Sequence, residues 1–264
     1  MSENSAFQLV SEHSWRRGLG GMLKSEFSRW WGTRMWWVQC LIWVGFTGFM
    51  LSAILFSAEE APPSEELAVL YAIFAGIFPA VGVVIIMQGV VVGEKKSGTA
   101  AWVLSKPVTR PAFIMSKVIA NSLGVLATMV VLPGIVAYVL SAAATGKPWG
   151  LPGFLLAMGV IFLSHFFFLS LSLMLGNLFN SRGPVIGITL GLLLMQQNLI
   201  GWLPFLRYVL PWKLVIPIGE QLDAVAPCLL VGSRNYSPNL IAVVALESIL
   251  FILIGLWRFS HEEF

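Results

Sequence analysis

Apolar residues run along this chain in six long blocks, parted by short polar or proline-bearing stretches. A bilayer core of roughly 30 Å asks for about 20 mostly apolar residues per helix. The blocks that meet this length run from Trp36 to Ser57, Leu67 to Val92, Val118 to Ser141, Pro152 to Phe179, Pro184 to Trp202 and Leu240 to Trp257. The pattern predicts an all-α membrane protein with six transmembrane helices. No fixed-period repeat, low-complexity tract or linker divides it, so residues 1–264 read as a single membrane domain.

Ahead of the first span, within 1–35, Leu23, Phe27, Trp30 and Trp31 fall on one side of a helical wheel, and Ser25, Ser28, Arg29 and Gly32 fall opposite. This predicts an amino-terminal interfacial helix in the headgroup plane. The alternative is that Trp30, Trp31, Trp36 and Trp37 are only the aromatic belt of the first span. The charged residues ahead of an apolar run too long for a signal peptide predict that this end is retained as an anchor. Between the fifth and sixth spans, residues 203–239 are apolar but cut by Pro204, Pro211, Pro217, Pro227 and Pro238 into pieces too short to cross. Short re-entrant or interfacial helices fit there.

Composition agrees: 57% of residues are apolar and only 11% charged, too little ionic surface for a soluble domain of this size. A net charge of +3, with no long basic stripe interleaved with aromatics, excludes nucleic acid as a partner. Cys40 and Cys228 are too few for a disulfide framework. Basic residues then set orientation. With both termini inside, Arg16, Arg17, Lys24, Arg29, Arg34, Lys95, Lys96, Lys106, Arg110, Lys117, Arg182 and Arg258 lie inside, while Lys147, Arg207, Lys213 and Arg234 lie outside, a split of 12 to 4. The first outer loop carries Glu59, Glu60, Glu65 and Glu66 around Pro62 and Pro63, with no Lys or Arg. The expectation is a multi-pass protein of the cell's cytoplasmic membrane with both termini cytoplasmic.

The inner connection 93–117 holds the candidate chemistry. It reads Gly93, Glu94, Lys95, Lys96, Ser97, Gly98, Thr99, then Ala100 to Lys106, Pro107, Val108, Thr109 and Arg110. Ser97 can cap a short helix over Gly98 to Ser105, Pro107 stops it, and Thr109 with Pro111 starts the next helix, which runs into the third span. Trp102, Val103 and Leu104 give this knob an apolar side, and an exposed apolar patch there points to a protein partner. An ordinary basic loop held by anionic lipid is the competing reading.

On Glu94, Lys95, Lys96, Gly98, Thr99, Pro107, Val108, Thr109, Arg110 and Lys117, the chain resembles the membrane-spanning permeases of type-2 ABC exporters. It departs from their pattern at Ala100 and Ala101, where an acidic residue is common, and at Ser116, where Gly is common. The resemblance implies that the knob is a coupling helix seated in an ATP-binding subunit, with Glu94, Lys95, Lys96, Gly98, Thr99, Trp102, Pro107 and Arg110 at the coupling site. It implies two permeases, identical or related, two ATPases, and a permease without a catalytic site. ATP and Mg would then sit on the partner, since no phosphate-binding Gly-Lys-Ser/Thr loop occurs in this chain. The exported substrate is not specified by these residues.

Polar residues inside the spans are the remaining candidates. Gly183, Gly187 and Gly191 repeat every four residues on a face shared with Leu194 and Asn198, a spacing that lets helix backbones approach closely. That face is predicted to meet a second permease, with Gln197 and Asn198 near the outer part of the pathway; packing against another span of the same chain is the alternative. Glu247 costs about 2.5 to 3.5 kcal/mol at mid-span. The 12 Leu, Ile, Val and Phe residues between Leu240 and Trp257 outweigh it, at about 0.3 to 0.6 kcal/mol each. Glu247 therefore faces protein, and His165 in the fourth span is a candidate partner. Read as an intramembrane enzyme, the chain offers only His165, Glu247, Ser164 and Ser170, without a His-Glu-x-x-His pattern or a framed nucleophile. Read as a secondary transporter, it lacks clear inverted repeats.

Overall fold

A computed structural model describes residues 15–57, 62–219 and 221–262, and the acidic pair Glu59 and Glu60 of the first outer loop lies outside the described residues. All regular structure among them is helical, and six helical stretches are long and apolar enough to cross a membrane. The chain is a multi-pass membrane protein. Helix α1 spans Leu19–Trp31 and leads into the first span, α2, Met35–Ser57.

The second span covers Ser64–Lys96 as α3 (Ser64–Gly76), α4 (Phe78–Met87) and the short α5 (Val92–Lys96). Pro79 has no N–H to offer the carbonyl of Ala75, so the ladder breaks where α3 meets α4. After α6 (Thr99–Leu104), the third span runs over Arg110–Thr145 as α7 (Arg110–Val125), a π-helical stretch (Leu126–Val131) and α8 (Leu132–Thr145). Pro133 again removes a donor, and the helix widens in the turn before it.

The remaining spans are α9 (Leu151–Leu178), α10 (Arg182–Trp202) and α13 (Asn239–Ser260). Helix α9 is the centre of the bundle. Two-thirds of its most apolar window (67%) is buried, against 11% for α2 and 28% for both α10 and α13. Its closest companion is α13.

The segment between α10 and α13 folds into a 3-10 turn (Pro204–Tyr208), α11 (Trp212–Val215) and α12 (Val225–Val231). As the proline spacing predicts, none is long enough to cross. These pieces form a cap: Leu214, Val215, Val225, Ala226, Cys228 and Leu230 are buried, and α12 packs on α9 and α3. A Lys213–Asp223 ion pair of 2.6 Å and a hydrogen bond from the Ile218 N–H to the Asp223 carboxylate tie the loop between α11 and α12.

Candidate functional site

At the other end of the bundle the α5–α6–α7 segment, α1 and the last turns of α9 and α13 meet. Gly98, at φ 71°, turns the chain from α5 into α6. The Ser97 hydroxyl accepts from the Thr99 N–H at 3.4 Å and shares a 2.8 Å hydrogen bond with the Thr99 hydroxyl. Helix α6 is shorter than Gly98 to Ser105. Its apolar residues also divide: Ala100 is buried and Val103 and Leu104 pack inward, so the predicted three-residue apolar side reduces to Trp102. The indole is 62% exposed, with the Lys106 ammonium 3.3 Å above its ring. Lys96, Gly98, Thr99 and Pro107 are exposed beside it.

The other predicted site residues of this segment turn inward. Glu94 pairs with Lys117, a fully buried ammonium that also holds Glu26 of α1 at 2.6 Å. One turn on, Asn121 accepts from the Trp30 indole N–H at 3.0 Å and donates to the Lys117 carbonyl at 2.7 Å. The Trp30 ring lies flat on α7 at Gly124, where an added Cβ would stand 2.5 Å from it. Thr109 caps α7 by accepting from the Ala112 N–H, as predicted, and its own N–H donates to the Arg17 carbonyl. Helix α1 is thereby stitched along α7. Lys95 donates to the Asn177 carbonyl, and Arg110 to the carbonyls of Phe259 and Ser260.

Sequence reasoning missed Glu26, whose partner lies 91 residues away. The inward stripe of α1 has Glu26 and Trp30 buried with Leu19, Met22, Leu23 and Phe27 half-buried around them, and Trp31, expected on that side, is 43% exposed and packs beside Trp36. The available signal was a single acid inside an apolar helical stripe, together with a single lysine entering a span.

Within the spans, Gly183, Gly187 and Gly191 meet nothing of this chain where a Cβ would lie, and Leu194 and Asn198 beside them are exposed. Gln197 lines a cavity of about 420 Å³ with Arg207, Trp212 and Pro217. His165 is fully buried and Glu247 half-buried, and no hydrogen bond or ion pair joins them, contrary to the expected pairing. The Ala75 carbonyl that Pro79 leaves free faces the His165 ring, without a hydrogen bond of ordinary geometry. Ser170 donates to the Phe167 carbonyl of its own helix, and Ser164 is buried. Among the described residues no cluster of His, Cys, Asp and Glu could hold a metal ion.

The sequence profile of a family described as ABC-2 family transporter protein matches residues 23–264. A search of curated proteins finds no match. The matched region takes in α1 from Leu23 onward, all six spans and the knob between the second and third. With its multi-pass helical bundle, this chain belongs to the ABC-2 family, the membrane-spanning components of ABC transporters.

Proposed function

We propose that this chain is the permease subunit of an ATP-driven exporter in the cytoplasmic membrane, with both termini inside, and that α6 is its coupling helix. The observation that carries the reading is the division of labour around α6. Lys96, Gly98, Thr99, Trp102 and Pro107 face outward, while Glu94, Lys95 and Arg110 bind the knob's base to the bundle. A push on Trp102 is thus delivered to spans rather than absorbed by a loop. ATP and Mg act on the partner, and the chain itself performs no bond chemistry.

Two ATP-binding subunits and a second permease complete the assembly. The open glycine face of α10 supports a permease contact there, since small residues on an uncovered span let a second helix approach. Gln197 and Asn198 then stand near the outer pathway. Helix α1 lies at the interface: Trp31, Trp36 and Trp37 are exposed at its junction with α2, at the level where amphipathic rings settle among headgroups. The 3-10 turn, α11 and α12 close the outer mouth.

Affinity purification of the chain from its own membrane tests this reading. An ATP-hydrolysing polypeptide should copurify in equal amount, with two permeases per particle. Gly187→Leu should remove the second permease and keep the ATPase. A preparation free of any hydrolase would overturn the coupling role, and an intact pair in the Gly187 variant would overturn the dimer face.

A further inference from the structure

We propose that the base of the knob is a joint through which Lys95 and Arg110, flanking α6 on either side, grip the carbonyl ends of α9 and α13 and pass its motion into the fourth and sixth spans. This inference rests on the coupling role proposed above. It adds two routes to the direct one, in which α7 simply continues into the third span.

A helix end leaves its last carbonyls without intrahelical donors and carries partial negative charge, so cations bind there. Helix α9 has no basic residue in its last turn. Lys95 supplies one from another segment: its ammonium donates to the Asn177 carbonyl at 2.9 Å, with the Asn180 side-chain oxygen at 3.4 Å. The same ammonium pairs at 2.6 Å with Glu262, just beyond the end of α13, and only 7% of the lysine side chain is exposed. From the other side of the knob, Arg110 donates to the carbonyls of Phe259, at 3.2 Å, and Ser260. The Phe113 ring, one turn along α7, stacks on Phe259 with centroids 5.1 Å apart and planes 4° from parallel.

The two gripped helices are themselves closely packed. At Gly255 of α13 an added Cβ would lie 3.1 Å from the Asn177 side chain and 3.4 Å from the Met174 backbone. Lys95 therefore spans a seam whose two sides are in van der Waals contact. A displacement of α6 that carries Lys95 and Arg110 must move both helix ends or break charge-assisted hydrogen bonds, each equivalent to roughly a 10- to 100-fold change in an equilibrium.

Lys95 and Arg110 are thus positioning residues, and hydrogen exchange on the full chain tests them. In the isolated permease, Lys95→Met should speed exchange across the last turn of α13 and at the end of α9 by about tenfold, whereas Lys95→Arg, which keeps a cation there, should stay near the parent. Unchanged exchange in the methionine variant would overturn the joint whatever the partner turns out to be. In the ATPase complex, a non-hydrolysable ATP analogue with Mg should alter exchange over 92–110 and over 252–262 together in the parent, and over 92–110 alone in Lys95→Met. A response over 92–110 that leaves 252–262 unmoved in the parent would overturn transmission to the sixth span. No response over 92–110 would overturn the coupling role itself, with the isolated-chain comparison still deciding the joint.

Discussion

Lys117→Met is expected to destabilise the chain by about 3–5 kcal/mol, because it leaves Glu94 without its cation and the buried Glu26 with only the half-exposed Arg29, 3.6 Å away. The ammonium is fully buried between the carboxylates of Glu26, 6% exposed, and Glu94, 22% exposed. Removing it takes away the attraction that offsets desolvation of both acids and leaves them side by side. A loss of that size corresponds to a fall in apparent melting temperature on the order of 10 °C for a chain of this length. Glu26→Gln and Glu94→Gln added to Lys117→Met should recover most of it, since replacing a whole buried ionic group by neutral side chains is often tolerated where breaking one is not. Thermal unfolding of the detergent-solubilised variants is the check. A single variant as stable as the parent, or a triple variant no better than the single, would contradict the assignment.

Gly153→Ala should detach the cap from the bundle. A Cβ at position 153 would stand 2.2 Å from the Leu229 carbonyl oxygen, and the obstacle is backbone, which no rotamer change can clear. Helix α12 must back away from α9, opening the packing of Val225, Ala226, Cys228 and Leu230 at a cost of about 1–3 kcal/mol or more. Cys228 reports the change. Its thiol is buried, donates to the Leu222 carbonyl, and has its pKa raised by that burial, so the parent should react slowly with maleimide. In a Cys40→Ser background, Gly153→Ala should label at Cys228 many times faster. Gly159→Ala, six residues along the same helix with open space at its Cβ, should not. Equal labelling of the two variants would mean that the close approach at Gly153 does not hold the cap.

The spans were legible because each depends on a local quantity, apolar length, and all six appear where the blocks predict them. Their ends were less so. The helix of the third span begins at Arg110, as the Thr109 cap predicts, and what the sequence did not show is that its turns at Lys117 and Asn121 are held by Glu26 and Trp30. The break at Ile77 and the π-helical stretch lie just ahead of Pro79 and Pro133, and a proline in a sequence announces an interruption without fixing its form. The knob was legible through Pro107 and the Thr109 cap, whereas the expected Ser97 cap gives way to Gly98, which stands at the N-cap of α6 in the left-handed conformation. The fates of its side chains were not legible. Glu94, Lys95 and Arg110 face the bundle because their partners, Lys117, Asn177, Glu262 and the carbonyls of Phe259 and Ser260, come from distant elements. Trp102 alone kept the exposed apolar role that its neighbours Val103 and Leu104 lost to the core.

The coupling role of α6 requires Trp102 to face an ATP-binding protein in the cytoplasm. A photoreactive residue installed at position 102 in living cells should cross-link to a polypeptide that binds ATP, while one at Leu246, which is 67% exposed on a span, should cross-link to lipid alone. The absence of a protein adduct from position 102, or labelling of a cysteine there by a membrane-impermeant reagent applied outside the cell, would contradict the account.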